Sequence, residues 1–230
     1  MDSLPFSQSC ENNKGPILHA LGALFADRRQ VLEIASGTGQ HATWFADHLP
    51  HLQWQPTERP DHLAVLQPRC AAYGGDNLSS PSPLDVSQRP WASLDQPDAV
   101  FTANSLHIMP WESVEDLFAE LGVRSLADTL LVVYGPFNYG GEYTSSSNAG
   151  FDQWLAQQSP FSAIRDFERV DELARAAGFG LQDDIEMPAN NRLLVWRKAV
   201  SYTHLRAHET SDDISYAVCC LKKWGGGWGG

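Results

Sequence analysis

Apolar positions along this chain fall into two kinds of run. Short strand-like stretches occur at Gln30–Ala35, Leu52–Thr57, Ser82–Val86, Asp98–Ala103 and Thr129–Tyr134. The first is a short apolar run ending in a glycine-rich turn, which marks a buried strand. Between them apolar residues recur every three or four positions, the spacing of helices with one buried stripe. Ile17, Leu18, Leu21, Leu24 and Phe25 predict a helix over 14–27. Further helices are predicted over 40–49, 61–73 (despite Pro68) and 111–126, the last with Trp111, Val114, Leu117, Phe118 and Leu121 on one face. The glycine- and serine-rich stretch 135–150 reads as a long loop, followed by helices over 151–158 and 166–177. Two final strands, 179–187 and 191–198, are joined only by Pro188–Asn190. They have no room for a helix between them, so they form an antiparallel hairpin.

This order predicts an α/β fold: a Rossmann-like, seven-stranded mixed sheet with helices on both faces and a C-terminal antiparallel hairpin. Ligands of such sheets bind outside the carboxyl ends of the strands. That rule selects Ser36–Gln40, Thr57–Glu58, Asp85, Asn104–His107 and Tyr134–Phe137.

Composition narrows the class of partner. The 230 residues carry a formal charge of −12, with 43% apolar and 19% charged residues. So acidic a surface repels phosphate backbones and anionic lipid, which argues against nucleic acid and membrane partners. No apolar run approaches the roughly 20 residues that span a bilayer. The first residues lack the basic and apolar regions of a secretory signal. Cys10, Cys70, Cys219 and Cys220 form no zinc-type cluster, and the histidines show no metal-ligand spacing. A cytoplasmic protein with reduced thiols, monomer or homodimer, is the expectation, with no metal.

The chain changes character near Ala199. SYTHLRAHET and ISYAVCCLKK resemble the conceptual translation of a transposase adapter used in short-read sequencing, and GGGWGG resembles poly-G read-through. The domain is therefore expected over 1–198, with 199–230 an artefactual, disordered tail. The other reading is a natural flexible extension. Three basic residues (Arg206, Lys222, Lys223) and three acidic ones (Glu209, Asp212, Asp213) cancel within that tail, so the domain keeps the whole net charge.

Chemistry concentrates at the strand ends. Gly37 and Gly39 lie between the first strand and its helix, where glycine lets backbone approach a ligand. Such a turn suits a dinucleotide as well as other nucleosides. Glu58, about twenty residues on, can accept from both ribose hydroxyls, or it is a solvated loop charge. Glu33 sits inside the first strand, where an unpaired carboxylate is costly. Asp85 suits an adenine amino group, or caps a strand end. The Tyr-x-x-x-Lys of short-chain reductases is missing, as is a P-loop.

These pieces, with FSQSCENNKGPIL, LEIASGTGQHA, WQPTE, LDV, ANSLHIMPW, YGPFNYGGEYTSSSN, FD, IRD and MPANN, resemble an uncharacterised methyltransferase-like family of bacteria and animals, known only as a domain of unknown function. The likeness runs from about Leu4 to Lys198. It implies the class I methyltransferase fold and S-adenosylmethionine as cofactor; it does not supply a substrate, and a small-molecule acceptor is the expectation drawn beside it. Cofactor contacts are then expected from Glu33, Ala35, Ser36, Gly37, Gly39, Gln40, Glu58, Asp85, Val86 and Asn104. Two departures stand out: Glu58 replaces the usual Asp, and Ala127-Asp128 replaces a Pro-Gly turn before the fifth strand.

His107 is the expected general base, since an imidazole titrates near neutrality. Its alternative is a structural His capping the next helix. Tyr134 is a second candidate at the crevice, catalytic or substrate-binding, or a wall. Asn13, Asn190 and Asn191 are candidate substrate contacts; Asn104, Asn190 and Asn191 also suit turns. Glu11–Lys14 forms either a lid or a helix cap. Two other functions stay open: a cofactor-binding interaction module without catalysis, and an NAD(P)-dependent oxidoreductase.

Overall fold

Four of the five short apolar stretches become inner strands of one sheet, while Ser82–Val86 falls at its edge. The computed structural model describes residues 4–91 and 96–200; the tail predicted from Ala199 lies, past Val200, outside the described residues. Its elements are α1 (Gln8–Leu24), β1 (Gln30–Ile34), α2 (Gln40–His48), β2 (Gln53–Glu58), α3 (Leu63–Ala71), β3 (Ser82–Pro83), β4 (Ala99–Ala103), α4 (Trp111–Arg124), β5 (Leu130–Gly135), β6 (Phe137–Asn138), α5 (Ser146–Gln158), β7 (Arg165–Asp166), α6 (Phe167–Ala176), β8 (Phe179–Met187) and β9 (Asn191–Lys198).

Seven strands pair in the order β3-β2-β1-β4-β5-β9-β8. The first five are parallel; β9 runs antiparallel between β5 and β8. The predicted mixed sheet with its terminal hairpin is thus the observed one. A chain that starts in the middle and winds outward in both directions leaves a crevice above β1 and β4, where the winding reverses.

Side chains alternate between two faces. One packs Leu32, Ile34, Val100, Leu131, Val133, Leu194 and Trp196 against α4 and α6. The other packs Val31, Trp54, Ala99, Phe101, Leu130, Val132 and Val195 against α1 and α2. Burial of both faces holds the strand ends rigid, which a positioned site requires. The outer strand β8 carries Asp183, Asp184 and Glu186, charges that protect an exposed sheet edge.

Three predicted boundaries are corrected. The first helix begins at Gln8, not 14, because the Ser7 hydroxyl accepts from Cys10 N–H and caps two polar turns. The third strand stops at Pro83 instead of Val86. Residues 135–150 are not all loop: β6 pairs with β7, and Ser145 caps α5 by accepting from Asn148 N–H. Among the described residues no helix is long and apolar enough to cross a membrane. No cluster of three metal-ligating side chains occurs among them.

Candidate functional site

The crest is built from the ends of β1, β2, β4 and β5. After β1 the backbone turns left-handed at Ala35 (φ 58°), Gly37 (φ 56°) and Gly39 (φ 74°). Gly39 caps α2 and lies under α3: a Cβ there would stand 2.9 Å from Leu66 Cδ1. Gly37 instead faces open space, with nothing within 4 Å of a Cβ. A ligand can therefore approach the Gly37 backbone directly. Glu58 meets the same turn. Its Oε2 accepts from Gly37 N–H at 2.8 Å, and its Oε1 from Arg59 N–H at 2.9 Å.

Hydroxyls fix this geometry from below. Thr57 donates to the Glu33 carbonyl at 2.7 Å, and Ser36 Oγ accepts from Thr57 N–H. Thr102 likewise donates to the Ile34 carbonyl at 2.8 Å and meets the Ser105 hydroxyl. The strand ends carrying Ser36, Glu58 and Asn104 are thereby locked to one another.

Glu33 is 2% exposed and accepts from Trp54 Nε1 at 2.7 Å. Burial pushes its carboxyl up to about 7, against the hydrogen bonds from Trp54 and Ser36 and with the added push of Glu58. Asp85 lies beyond β3 and accepts from Ser87 N–H and Oγ, so its carboxylate also caps a turn. Val86 beside it is buried in the core. Asn104 adopts φ 55°, the left-handed region that Asn tolerates best after glycine, and donates its N–H to the Tyr134 carbonyl.

Beyond the end of β4, beside Gly135, stands His107. Its ring is 5% exposed and meets Phe151 edge-on at 5.4 Å. No hydrogen bond to its ring nitrogens occurs among the described residues. Burial, with a smaller push from Arg165, lowers its pKa to about 4. Gly135 lies beside it: a Cβ there would stand in ordinary contact, 3.6 Å from His107 Nδ1 and 3.9 Å from Asn104 Oδ1.

Tyr134 faces the other side of the sheet, toward α1 and α2. There Asn13 and Asn191 lie beside its phenol and favour ionisation, against the larger upward push of burial. Asn13 Oδ1 also accepts from His41 Nε2 at 2.6 Å. His41, Asn13, Tyr134 and Asn191 thus form one polar chain from α2 to the hairpin. Asn190 does not join it. It is exposed in the hairpin turn, with φ 56° and its amide on Ser147 Oγ.

The stretch Glu11–Lys14 is helical. Gln40 nonetheless straps it to the crest, accepting from Ser7 N–H and donating to the Ser7 carbonyl and Glu11. Arg69 adds a second strap, donating to the Thr38 and Pro5 carbonyls. A surface cleft of about 270 Å³ lies on this side, lined by Phe6, Lys14, Trp44 and Tyr73 among others. It opens on α1 and α2, away from Glu58 and His107. Sequence reading missed His41, Arg69 and Arg165. His41 alone carried a local signal, standing two residues after Gly39; the rest act over long separations.

The family model described as Protein of unknown function (DUF938) matches residues 4–198. The chain belongs to that family. Solved structures share the DUF938 chain's fold at low identity. An O-methyltransferase family protein from Burkholderia thailandensis superposes with a TM-score of 0.70 at 14% identity, covering 82% of this chain and 57% of its own. PigF with SAH gives 0.70 at 17%, covering 82% and 56%. Human N-acetylserotonin methyltransferase in complex with SAM gives 0.65 at 13%, covering 84% and 58%. The DUF938 chain spans a little over half the length of these proteins.

Proposed function

We propose that this protein is an S-adenosylmethionine-dependent methyltransferase acting on a small molecule, with His107 as general base. The observation that carries the reading is the glycine turn after β1, where Glu58 accepts from Gly37 N–H beside an open backbone, in a sheet closed by an antiparallel hairpin. The solved proteins of this fold described as holding SAM or SAH support it.

The residues suit that cofactor. Glu58, already accepting from Gly37 N–H, would take the ribose hydroxyls. Asp85 and Val86 would take the adenine. Glu33 and Asn104 would hold the methionine end, with Ala35, Ser36 and Gln40 shaping the turn between. S-adenosylmethionine, when bound, supplies an electrophilic methyl whose leaving group is a neutral thioether. What remains for the protein is alignment and proton removal. His107 is neutral above about pH 4, so its base form is present throughout the physiological range. Phe151 and the burial around it keep water from competing for the imidazole.

Isothermal titration with S-adenosylmethionine, S-adenosylhomocysteine and NAD tests the cofactor. Binding of the first two without the third is expected; binding of NAD alone would replace this reading with an oxidoreductase. Incubation with labelled S-adenosylmethionine and a metabolite extract tests turnover. Transfer of label to a small molecule is expected; cofactor binding with no transfer to any fraction would leave a non-catalytic module.

A further inference from the structure

The loop that carries His107 is held in an unusual way. Its four consecutive carbonyls, from Leu106 to Met109, all accept hydrogen bonds from the segment 162–165. Arg165 Nε donates to Leu106 O at 3.0 Å, and Ala163 N–H to His107 O at 3.0 Å. Ser162 Oγ donates to Ile108 O at 3.1 Å, and Arg165 Nη2 to Met109 O. The same Nη2 also reaches Phe161 O at 2.9 Å. The segment is itself latched: Asp152 Oδ1 accepts from Ile164 N–H at 2.6 Å, one residue after Phe151, which packs on the imidazole. Pairing of β6 with β7 delivers Arg165 to this place.

We propose that Arg165 is a positioning residue for His107. Its planar fork spans the two ends of the loop and so fixes where the imidazole stands. The proposal rests on the reading of His107 as base. A fork is needed because one rigid group must reach Leu106 O and Met109 O together; a lysine ammonium is a single point of charge and holds one end at a time. Arg165 makes no ion pair among the described residues; its donors go to backbone carbonyls, two of them at the ends of the loop. Its charge serves a second purpose. It is the charged side chain whose field reaches His107, where it adds to burial in disfavouring the imidazolium. Asp152 on α5, Glu112 on α4 and Arg169 on α6 act on Arg165 itself. The loop 104–109 and the Gly135 end of β5 contribute no charged side chain facing the ring.

The test uses the full chain and its Arg165→Gln and Arg165→Lys variants. The His107 ring protons are followed by NMR against pH, and S-adenosylhomocysteine binding by calorimetry. In the parent the ring is expected to titrate near pH 4. Arg165→Gln is expected to raise that midpoint by a small but measurable step, since burial, the larger cause of the low value, is unchanged. Arg165→Lys keeps the low midpoint but broadens or splits the ring signals, because charge is retained and the fork is lost. S-adenosylhomocysteine affinity stays within about twofold in both. Ring signals and midpoints in both variants identical to the parent's overturn the proposal. Should a variant not fold, hydrogen exchange in the parent decides: the Ala163 amide must be protected like that of Val132 in β5, and free exchange there overturns the clamp. Failure of the base reading is separate. It shows as full turnover in His107→Ala while Arg165→Gln still shifts the His107 titration.

Discussion

His41 and His107 are alike in most respects that a survey of burial records. Each is about 95% buried, each packs on a phenylalanine, and burial holds each near pKa 4. They differ in what the ring nitrogens touch. His41 gives its Nε2 proton to Asn13, which ties α2 to α1. Among the described residues the His107 ring has no such partner, while its backbone is clamped on every carbonyl from 106 to 109. One histidine spends its side chain on structure. The other has its main chain fixed and its imidazole left free for a ligand. A buried histidine therefore reads as chemical only when its scaffold is satisfied and its ring is not.

Breaking the free member has the largest expected effect. His107→Ala is expected to lower turnover about 10²- to 10⁴-fold while S-adenosylhomocysteine binding persists, by steady-state kinetics beside calorimetry. Undiminished turnover would remove the base role. Breaking the tied member acts on stability instead. His41→Ala leaves Asn13 without its partner and opens a cavity against Phe45, so urea denaturation should show a loss of about 2–4 kcal/mol. A loss confined to turnover, with stability intact, would reverse the assignment of the two histidines.

Glu33 sharpens the contrast from the acidic side. Its folded pKa, about 7, is above the ordinary 4.5, so the fold favours its protonated form. That contribution is complete below pH 4.5 and disappears as pH rises through 7. Glu33→Gln should match the parent near pH 4 and exceed it by roughly 2–3 kcal/mol above pH 7. Equal stability at both pH values would show that the carboxyl is not destabilised by burial.

The histidines carry the opposite sign. Their folded pKa values lie below the ordinary one, so their contribution is present above pH 6.5 and lost as pH falls toward 4. Thermal melts at pH 7 and pH 5 should show a slope of up to about 1.4 kcal/mol per pH unit for each, flattened by His→Gln at either position. A slope unchanged by both substitutions would place the acid sensitivity elsewhere. The smallest effect is expected from deleting residues 201–230, which should change stability by less than about 0.5 kcal/mol and leave both titrations in place. A larger loss would make that segment part of the domain.

Much of the sheet was legible because its strands are short, mostly apolar and separated by segments of helical spacing. Elements that depend on caps or distant partners were not. The start of α1 is polar, QSCENN, so its signal was Ser7 and not periodicity. The Ser145 cap of α5 was hidden in a serine-rich stretch that looked like loop. β3 was overextended because LDV is apolar enough to pass for strand, although proline at 81 and 83 limits the ladder there. At the site, the residues that sequence could nominate are those next to a strand end: Glu33, Glu58, Asn104 and His107. Residues whose meaning lies in a contact across the fold were missed. His41 meets a partner 28 positions away, and Arg165 holds a carbonyl 59 positions away. No local pattern encodes either pairing.

The place where β9 ends has a practical consequence. Lys198 pairs with Thr129 at the foot of β5 and with Phe179 at the start of β8, the pole opposite the strand ends that carry Glu58 and His107. A label, tether or immobilising anchor joined just after Val200 therefore departs from the far side of the molecule and leaves the crevice clear for probes.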